Sequence, residues 1–329
     1  VLVSNPVVFF LVFTLLSLIS TLWSPKPAYS AFMALQCLAF LMLIVAALHE
    51  VNRRSSPQAV IEWVVMWVVW TIFWAVVINT RHFGLAYLKY PFPAAGLSTG
   101  VPFFIALHLC RRRLFAWIIM AFGILSIANT NYFGILPGLL LGAVRGDRKS
   151  RVLAVAVVAV TAVAVQYVGL EGVIRNTLFY DKEEIGWEHT SGRNQVWAMG
   201  LELGMKRPLM GYGFVAGERG VLYEERNANT ISMHSAFFSA FLGVGFAGPL
   251  LLFLYYLGTW ALCLPRHVPP SWRFAFTGSM FMVCVVSMGN PGIGGRVYGS
   301  WMVSVIVMTM ITMLCGNSGI RVDGGIAAR

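Results

Sequence analysis

Long apolar stretches alternate with short polar connections along most of this 329-residue chain. About 20 consecutive apolar residues suffice for a helix to cross a bilayer. The pattern therefore predicts an all-α polytopic membrane protein with about ten transmembrane helices. The predicted spans are 6–23, 31–48, 58–78, 97–109, 114–128, 132–144, 152–169, 235–260, 274–288 and 298–315.

One long polar segment, residues 171–234, interrupts this pattern. It separates N-terminal membrane helices at 1–170 from C-terminal membrane helices at 235–329, and the two sets are expected to form a single integrated membrane domain. The segment itself is predicted to be a large loop that contains short helices. Because aqueous chemistry has little room inside a bilayer, this loop is the predicted catalytic region.

An apolar face at helical spacing predicts one amphipathic helix within the loop, of about 13 residues. Thr190 or Ser191 can cap its start, and Pro208 is a natural stop. With a single apolar face, this helix is expected to lie along the membrane surface. The face consists of Val196, Trp197, Gly200, Leu201, Gly204 and Met205.

Two neighbouring stretches, 114–128 and 132–144, are short for a bilayer. Either they form a hairpin that turns at Asn129-Thr130-Asn131, or they form one long kinked helix. Arginines precede the pair at 111–113 and follow it from 145 to 151. Both ends therefore favour the same membrane face, which the hairpin satisfies.

The charges locate the two faces of the membrane. The chain is 58% hydrophobic and 11% charged, against about 25% charged in a soluble domain. Its formal net charge of +11 falls mainly on connections that share one side, as in the positive-inside rule. We therefore expect both termini in the cytoplasm, the large loop on the opposite, extracytoplasmic face, contact with membrane lipids, and no nucleic acid. The basic residues on the cytoplasmic side are Arg53, Arg54, Arg111, Arg112, Arg113, Arg145, Arg148, Lys149, Arg151, Arg266, Arg273, Arg321 and Arg329.

The third span carries a stripe of tryptophans, Trp63, Trp67, Trp70 and Trp74, at helical spacing. Helix packing or lipid contact explains such a stripe. A wall for a polyprenyl chain is the functional alternative.

Neither a metal nor a cofactor is expected. No Asp-x-Asp pair, His-rich spacing, nucleotide-binding Walker motif or Gly-x-Ser-x-Gly elbow occurs in the sequence. The cysteines fall within or at the ends of predicted spans, so no disulfide framework is expected. They are Cys37, Cys110, Cys263, Cys284 and Cys315.

Arg193 falls in the first turn of the predicted loop helix, where the helix dipole disfavours a cation. An anion bound between the guanidinium and the free backbone N–H groups would remove this conflict. A surface ion pair with Glu184 or Glu188 is the alternative.

His234 stands where the apolar pattern resumes, after Thr230 and Ser232, either of which can cap the next helix and so place His234 in its first turn. The positive helix end is expected to lower the pKa of His234 and keep the imidazole neutral near pH 7. A neutral imidazole at the membrane edge can accept a proton from a sugar hydroxyl. A capping or interfacial role is the alternative.

Four further residues are substrate-binding candidates. Ser191 adjoins Arg193, and Tyr212 lies in the predicted tight turn Gly211-Tyr212-Gly213. Arg81, in the loop after the third span, and Arg296, between the last two spans, are predicted to face the same side as the large loop. Either one is a candidate for a second positive charge. Loop anchoring is the alternative for both arginines.

Several motifs follow one another in and around the loop. They are Leu22-Trp23-Ser24-Pro25, Ser191-Gly192-Arg193 with Trp197, the run from Arg207 to Gly213, His234-Ser235, and Gly243-Val244-Gly245. In order and spacing, above all from about 190 to 250, they resemble the core of the O-antigen ligase and polymerase family. Members of that family are bacterial inner-membrane proteins, commonly of about twelve spans with both termini cytoplasmic. Ten spans in the same orientation fit a chain that lacks the first pair.

The resemblance implies a metal-independent glycosyltransferase embedded in the inner membrane. It would move a glycan from undecaprenyl diphosphate to a sugar hydroxyl on the periplasmic face, with inversion at the anomeric carbon. Arg193 matches the family arginine that contacts the diphosphate, and His234 matches the histidine proposed as base. Asn129 to Tyr132 stand where a second family arginine is usual, so Arg81 is nominated as its substitute, and Ser235 stands where Asn is usual.

The alternatives differ in acceptor and in class. The acceptor sugar belongs to lipid A–core in a ligase and to a growing glycan in a polymerase, whereas a protein O-oligosaccharyltransferase uses Ser or Thr. The missing arginine also leaves open an inactive relative. A transporter or channel would place charges inside the spans, yet the predicted spans are nearly free of charge, with Glu62 near one end.

Overall fold

The structure is a computed structural model that describes residues 5–83, the segment 129–148, isolated residues between 104 and 167, and 193–225, 232–264, 268–289, 294–295 and 299–316. These residues are mostly helical, and no strand occurs among them. The prediction of an all-α chain is therefore confirmed for the described residues.

The helices follow in chain order. They are α1 (Val7–Ile19) with a 3₁₀ turn (Ser20–Trp23), α2 (Pro27–Arg54), α3 (Pro57–Phe83), α4 (Asn129–Arg145), α5 (Arg193–Lys206), a π-helix (Gly217–Glu225), α6 (Ala236–Val244), α7 (Ala247–Leu262), α8 (Pro270–Gly289) and α9 (Gly299–Gly316).

Proline sets the start of three long helices. Helices α2, α3 and α8 begin at Pro27, Pro57 and Pro270. Proline suits the first helical position because its fixed φ matches the helix and its missing N–H would have no helical partner there. Ser56 adds a cap to α3, since its hydroxyl oxygen accepts the Ala59 N–H at 3.3 Å.

Two helices among the described residues, Pro27–Arg54 and Pro270–Met288, are long and apolar enough to cross a membrane. Shorter apolar helices cover Val7–Trp23, Pro57–Trp70, Ala247–Leu262 and Trp301–Gly316. The count of ten spans stays a prediction. Predicted spans 97–109, 114–128 and 152–169 lie largely outside the described residues.

Large aromatic side chains join the helices in one core. The Phe10 ring of α1 stacks on Tyr255 of α7 at 5.1 Å between centroids and lies 5.9 Å from Trp301 of α9. Small residues allow the closest helix contacts: a Cβ on Gly142 of α4 would lie 2.9 Å from the ring of Phe274 in α8. Close packing through small residues is typical of helices in membranes.

Apolar side chains also face outward along one side of several helices. In α1, α2 and α7 they recur at spacings of three, four and seven residues, while hydroxyls such as Thr14 and Ser17 are buried inside. The exposed residues include Val12, Leu15, Ile19, Phe32, Leu35, Met42, Leu250, Phe253 and Leu257.

The tryptophan stripe of α3 has two environments. Trp63 and Trp67 pack on the core, whereas Trp70 and Trp74 are exposed.

The hairpin turn predicted at Asn129-Thr130-Asn131 is wrong in position, because α4 begins at Asn129. Short polar side chains favour helix starts as well as turns, so the sequence signal fits both. Residues 120–128, which would have to carry any turn, lie outside the described residues.

The segment predicted as one span at 235–260 is not one continuous helix, because the chain breaks between α6 and α7. Gly245 has φ +72°, and the Phe246 N–H donates to the Pro208 carbonyl at 2.8 Å. Residues 207–210, which are distant from Gly245 in sequence, thus pack against the break and help to create it.

We expect Gly245→Ala to lower the free energy of unfolding by about 2 kcal/mol or more. Its Cβ would lie 2.5 Å from the Leu209 carbonyl carbon, on a backbone that favours glycine. Thermal unfolding of the purified protein in detergent measures the change.

Gly220→Ala is the matched control, because its Cβ would lie 3.6 Å from the nearest atoms. Equal stability of both variants would show that the chain does not need this break.

Candidate functional site

Helix α5 packs on the π-helix and α6 through a small apolar cluster, called the loop core here. Its buried members are Val196, Leu203, Val221, Leu222, Met233 and Leu242. Helix α5 spans 14 residues, so the predicted loop helix is confirmed.

The predicted apolar face of α5 is only partly correct. Val196, Gly200 and Gly204 are buried as expected, but Leu201 is 47% exposed and Met205 is 55% exposed. Leu203 is buried in their place. The helix turns toward α6 because Gly200 and Gly204 admit the side chains of Met233 and Phe241.

Arg193 is the first residue of α5, as the sequence predicts to within its first turn. Its side chain is partly buried, and burial lowers the pKa of the guanidinium from its ordinary value. An arginine remains charged under such a shift. The nominated cap residues Thr190 and Ser191 and the acids Glu184 and Glu188 lie outside the described residues, so those predictions stay predictions.

His234 lies before α6 rather than in its first turn, which corrects the sequence-based placement. The helix begins at Ala236, and its N-cap Ser235 makes no side-chain capping bond. Ser232 instead accepts the His234 backbone N–H at 3.2 Å. The backbone of His234 has φ +50°, a conformation that non-glycine residues adopt infrequently and that concentrates at functional sites.

Trp197 connects the start of α5 to the His234 segment. Its indole N–H donates to the Met233 carbonyl at 2.6 Å, and its ring stacks on Phe238 at 5.5 Å. Arg193 and Trp197 are four residues apart, so they share one helix face. This face is therefore directed at the residues on either side of His234.

The charge of Arg193 acts on the His234 imidazole. Burial, followed by the positive charge of Arg193, lowers the pKa of His234 below its usual 6.5. The shift has the direction predicted from the sequence, and its causes are burial and the charge of Arg193. At neutral pH the imidazole is uncharged and can accept a proton.

Glu218 was missed by the sequence reasoning. It lies in the π-helix, is 2% exposed, and its Oε1 accepts the Met233 backbone N–H at 3.0 Å and the Ser239 hydroxyl. The carboxylate thus holds the chain on both sides of His234. One feature of the sequence could have indicated that Glu218 is buried: it is the one acid in the Gly-rich, largely apolar run from Gly211 to Leu222.

Tyr212 lies in a different part of the loop. The turn predicted at Gly211-Tyr212-Gly213 is confirmed, with φ of +63° and +93° at its two glycines. The N–H groups of Tyr212 and Gly213 donate to carbonyls at the end of α6, at 2.9 and 2.8 Å. The Tyr212 ring lines an open cleft that neither Arg193 nor His234 lines.

Three nominated residues stay predictions. Arg81 is in α3, which ends at Phe83, and not in the loop after that helix as expected; its side chain is outside the described part of the chain. Ser191 and Arg296 are likewise outside it.

No protein-family model matches this chain, and no curated protein matches it.

Replacing Arg193 with Gln is expected to raise the pKa of His234 toward its usual value, because a nearby positive charge is removed. An NMR titration of the His234 ring protons measures this pKa. Lys206→Gln, which removes the same charge at the far end of α5, should leave it unchanged. A pKa that does not move in Arg193→Gln would show that the two groups do not interact.

Removing the Glu218 carboxylate is expected to destabilise the protein. Glu218→Ala leaves the buried Met233 N–H and Ser239 hydroxyl without this acceptor, a loss of about 1–3 kcal/mol in the free energy of unfolding. The control is Glu224→Ala, since that carboxylate is exposed and pairs with Lys26, and such pairs are worth about 0–1 kcal/mol. Denaturation of both variants in detergent compares them, and equal losses would contradict a structural role for Glu218.

Proposed function

We propose that this protein is a membrane-embedded, metal-independent glycosyltransferase of the O-antigen ligase and polymerase type. It moves a glycan from undecaprenyl diphosphate to a sugar hydroxyl on the periplasmic face of the bacterial inner membrane. The observation that carries the proposal is geometric: Arg193 and Trp197 share one face of α5, and the Trp197 indole N–H bonds to the carbonyl of Met233, the residue before His234.

The distribution of side chains supports the membrane setting. Exposed apolar stripes on α1, α2 and α7 surround a core with buried hydroxyls, the arrangement expected of helices in lipid. Several buried hydroxyls bond to carbonyls of their own helix, as Ser17 does to Phe13 at 2.8 Å. Such bonds satisfy hydroxyl donors where water is absent.

The outer side of α5 supports its position at the bilayer surface. Leu201, Met205, Leu209 and Met210 are all 47% to 80% exposed, and they follow one another along this segment. Burial of such residues at the lipid boundary stabilises a helix that lies in the membrane plane. This position would bring Arg193 to the level of a lipid-linked diphosphate.

Arg193 suits the leaving group of the reaction. As the bond between the anomeric carbon and the diphosphate oxygen breaks, negative charge grows on the diphosphate. The guanidinium at the start of α5, together with the N–H groups of the first helical turn, would stabilise that charge. A partly buried cation attracts an anion more strongly than a fully hydrated cation does, because the effective dielectric constant is lower.

His234 suits the acceptor. The acceptor hydroxyl oxygen forms the new bond to the anomeric carbon while its proton passes to the neutral imidazole, and undecaprenyl diphosphate leaves from the opposite side. Attack on the face opposite the leaving diphosphate inverts the anomeric centre. Proton transfer to a positioned base typically contributes 10²–10⁴-fold to the rate, about 3–5 kcal/mol.

His234→Ala and Arg193→Ala should each lower glycan transfer by at least about 100-fold, while the amount of protein in the membrane stays unchanged. The measurement is surface glycan in a deletion strain that carries each variant, with membrane immunoblots for expression. Lys206→Ala and Arg219→Ala, which remove exposed charges elsewhere in the loop, serve as controls. Near-normal transfer by either site variant would contradict the assigned roles.

The same strain separates the acceptors. Loss of the gene leaves polymer on the lipid carrier if the protein is a ligase, and single repeats on the surface if it is a polymerase. Unchanged surface glycan but unmodified glycoprotein would indicate a protein oligosaccharyltransferase. If no glycan changes, the proposed function is wrong.

A further inference from the structure

An open cleft of about 290 Å³ lies between the segment after α1 and the segment after α5. We call it the aromatic cleft. Its lining residues are Trp23, Ser24, Pro25, Arg207, Tyr212 and Val221. Val221 also belongs to the loop core, which includes Met233 next to His234. The cleft and the proposed reaction centre therefore adjoin the same small core.

The Trp23 side chain and the Tyr212 backbone are held in place before any ligand binds. The Trp23 indole N–H donates to the Met210 carbonyl at 2.8 Å, and the Tyr212 backbone is fixed to Leu242. A Cβ on Gly213 would lie 2.5 Å from Ser24, so the two segments are in close contact. Fixed rings bind a ligand at little cost in conformational entropy.

Arg207 supplies an available positive charge in this cleft. Its guanidinium carbon lies 4.8 Å from the centre of the Tyr212 ring, and the side chain is exposed. Nearby Lys26 and Arg219 both pair with Glu224, and Lys206 pairs with Glu202. Within the described part of the chain, no carboxylate pairs with Arg207.

We propose that the aromatic cleft binds an acidic sugar residue of a glycan. The apolar face of the sugar ring would lie on Trp23 and Tyr212, and its carboxylate would bind the planar fork of Arg207. The volume is close to the lower limit of about 300 Å³ for small-molecule sites, which suits one sugar residue better than a lipid chain.

This inference rests on the proposed function for the origin of the glycan. Helix α5 separates Arg193 from Arg207, and its 14 residues span about 20 Å at 1.5 Å per residue. The cleft would therefore hold a sugar at a distance from the reacting bond and select substrates that carry an acidic residue there.

The test uses the full chain in nanodiscs of neutral phosphatidylcholine. Methyl β-glucuronide and methyl β-glucoside serve as acidic and neutral probes in saturation-transfer NMR. We expect the glucuronide to bind more tightly, and Arg207→Gln to weaken it by about tenfold, to the level of the glucoside. Arg207→Lys should give an intermediate affinity, and Lys206→Gln should match the unmodified protein.

Equal binding of the two probes, or unchanged glucuronide binding in Arg207→Gln, overturns the proposal. Displacement of the glucuronide by phosphatidylglycerol in the nanodisc also overturns it, because the cleft would then bind a lipid headgroup phosphate. The same measurement on His234→Ala tests the cleft apart from the proposed reaction. Because His234 does not line the cleft, this variant should bind the glucuronide as the unmodified protein does. Selective glucuronide binding without transfer in any assay would leave the sugar site standing and reject the proposed reaction.

Discussion

The arrangement of the loop depends on one constraint: backbone polar groups withdrawn from water must find partners inside the protein. Phe214 shows how the chain meets it. Its buried N–H donates to the Ser20 hydroxyl at 2.9 Å, and its carbonyl accepts the Ser30 hydroxyl at 2.9 Å. The loop is thereby fixed to the first two helices, and the segments that carry the aromatic cleft and the loop core take their positions from this attachment.

The proposed site combines two groups whose charges oppose each other. A cation beside an imidazole disfavours a second positive charge, so the histidine stays neutral while the arginine stays charged. The unfolded chain binds a proton more readily than the folded one as the pH falls through 6.5, so His234 contributes a loss of stability in acid. One arrangement thus holds an uncharged imidazole beside a cation at neutral pH, as the proposed function requires.

Local signals in the sequence predicted most of the described helices and the extent of α5. Periodic apolar residues and Pro208 were sufficient for α5, because helix formation depends on neighbours along the chain. The break at Gly245 and the position of His234 could not be predicted in this way. The break depends on contact of Gly245 with Pro208 and Leu209. The position of His234 depends on Glu218, which accepts hydrogen bonds from Met233 and Ser239 on either side of it.

The sequence and the structure point to different parts of the proposed site. Residue chemistry, local pattern and the family resemblance all pointed to Arg193, His234 and the tight turn around Tyr212. They did not indicate that Tyr212 faces a cleft with Trp23, because that contact joins residues far apart in sequence. Buried acids such as Glu218 are also hard to recognise, since most loop carboxylates are solvated.

The serine contacts of Phe214 have a consequence for biosynthesis. Ser20 and Phe214 are 194 positions apart, and Trp23 and Met210 are 187 apart. During translation Ser20 and Trp23 are made long before Met210 and Phe214. Until then their hydrogen-bonding groups lack these partners. The loop can therefore reach its final shape only after the segment that contains Met210 and Phe214 has been made, close to 190 residues after Trp23 and Ser20.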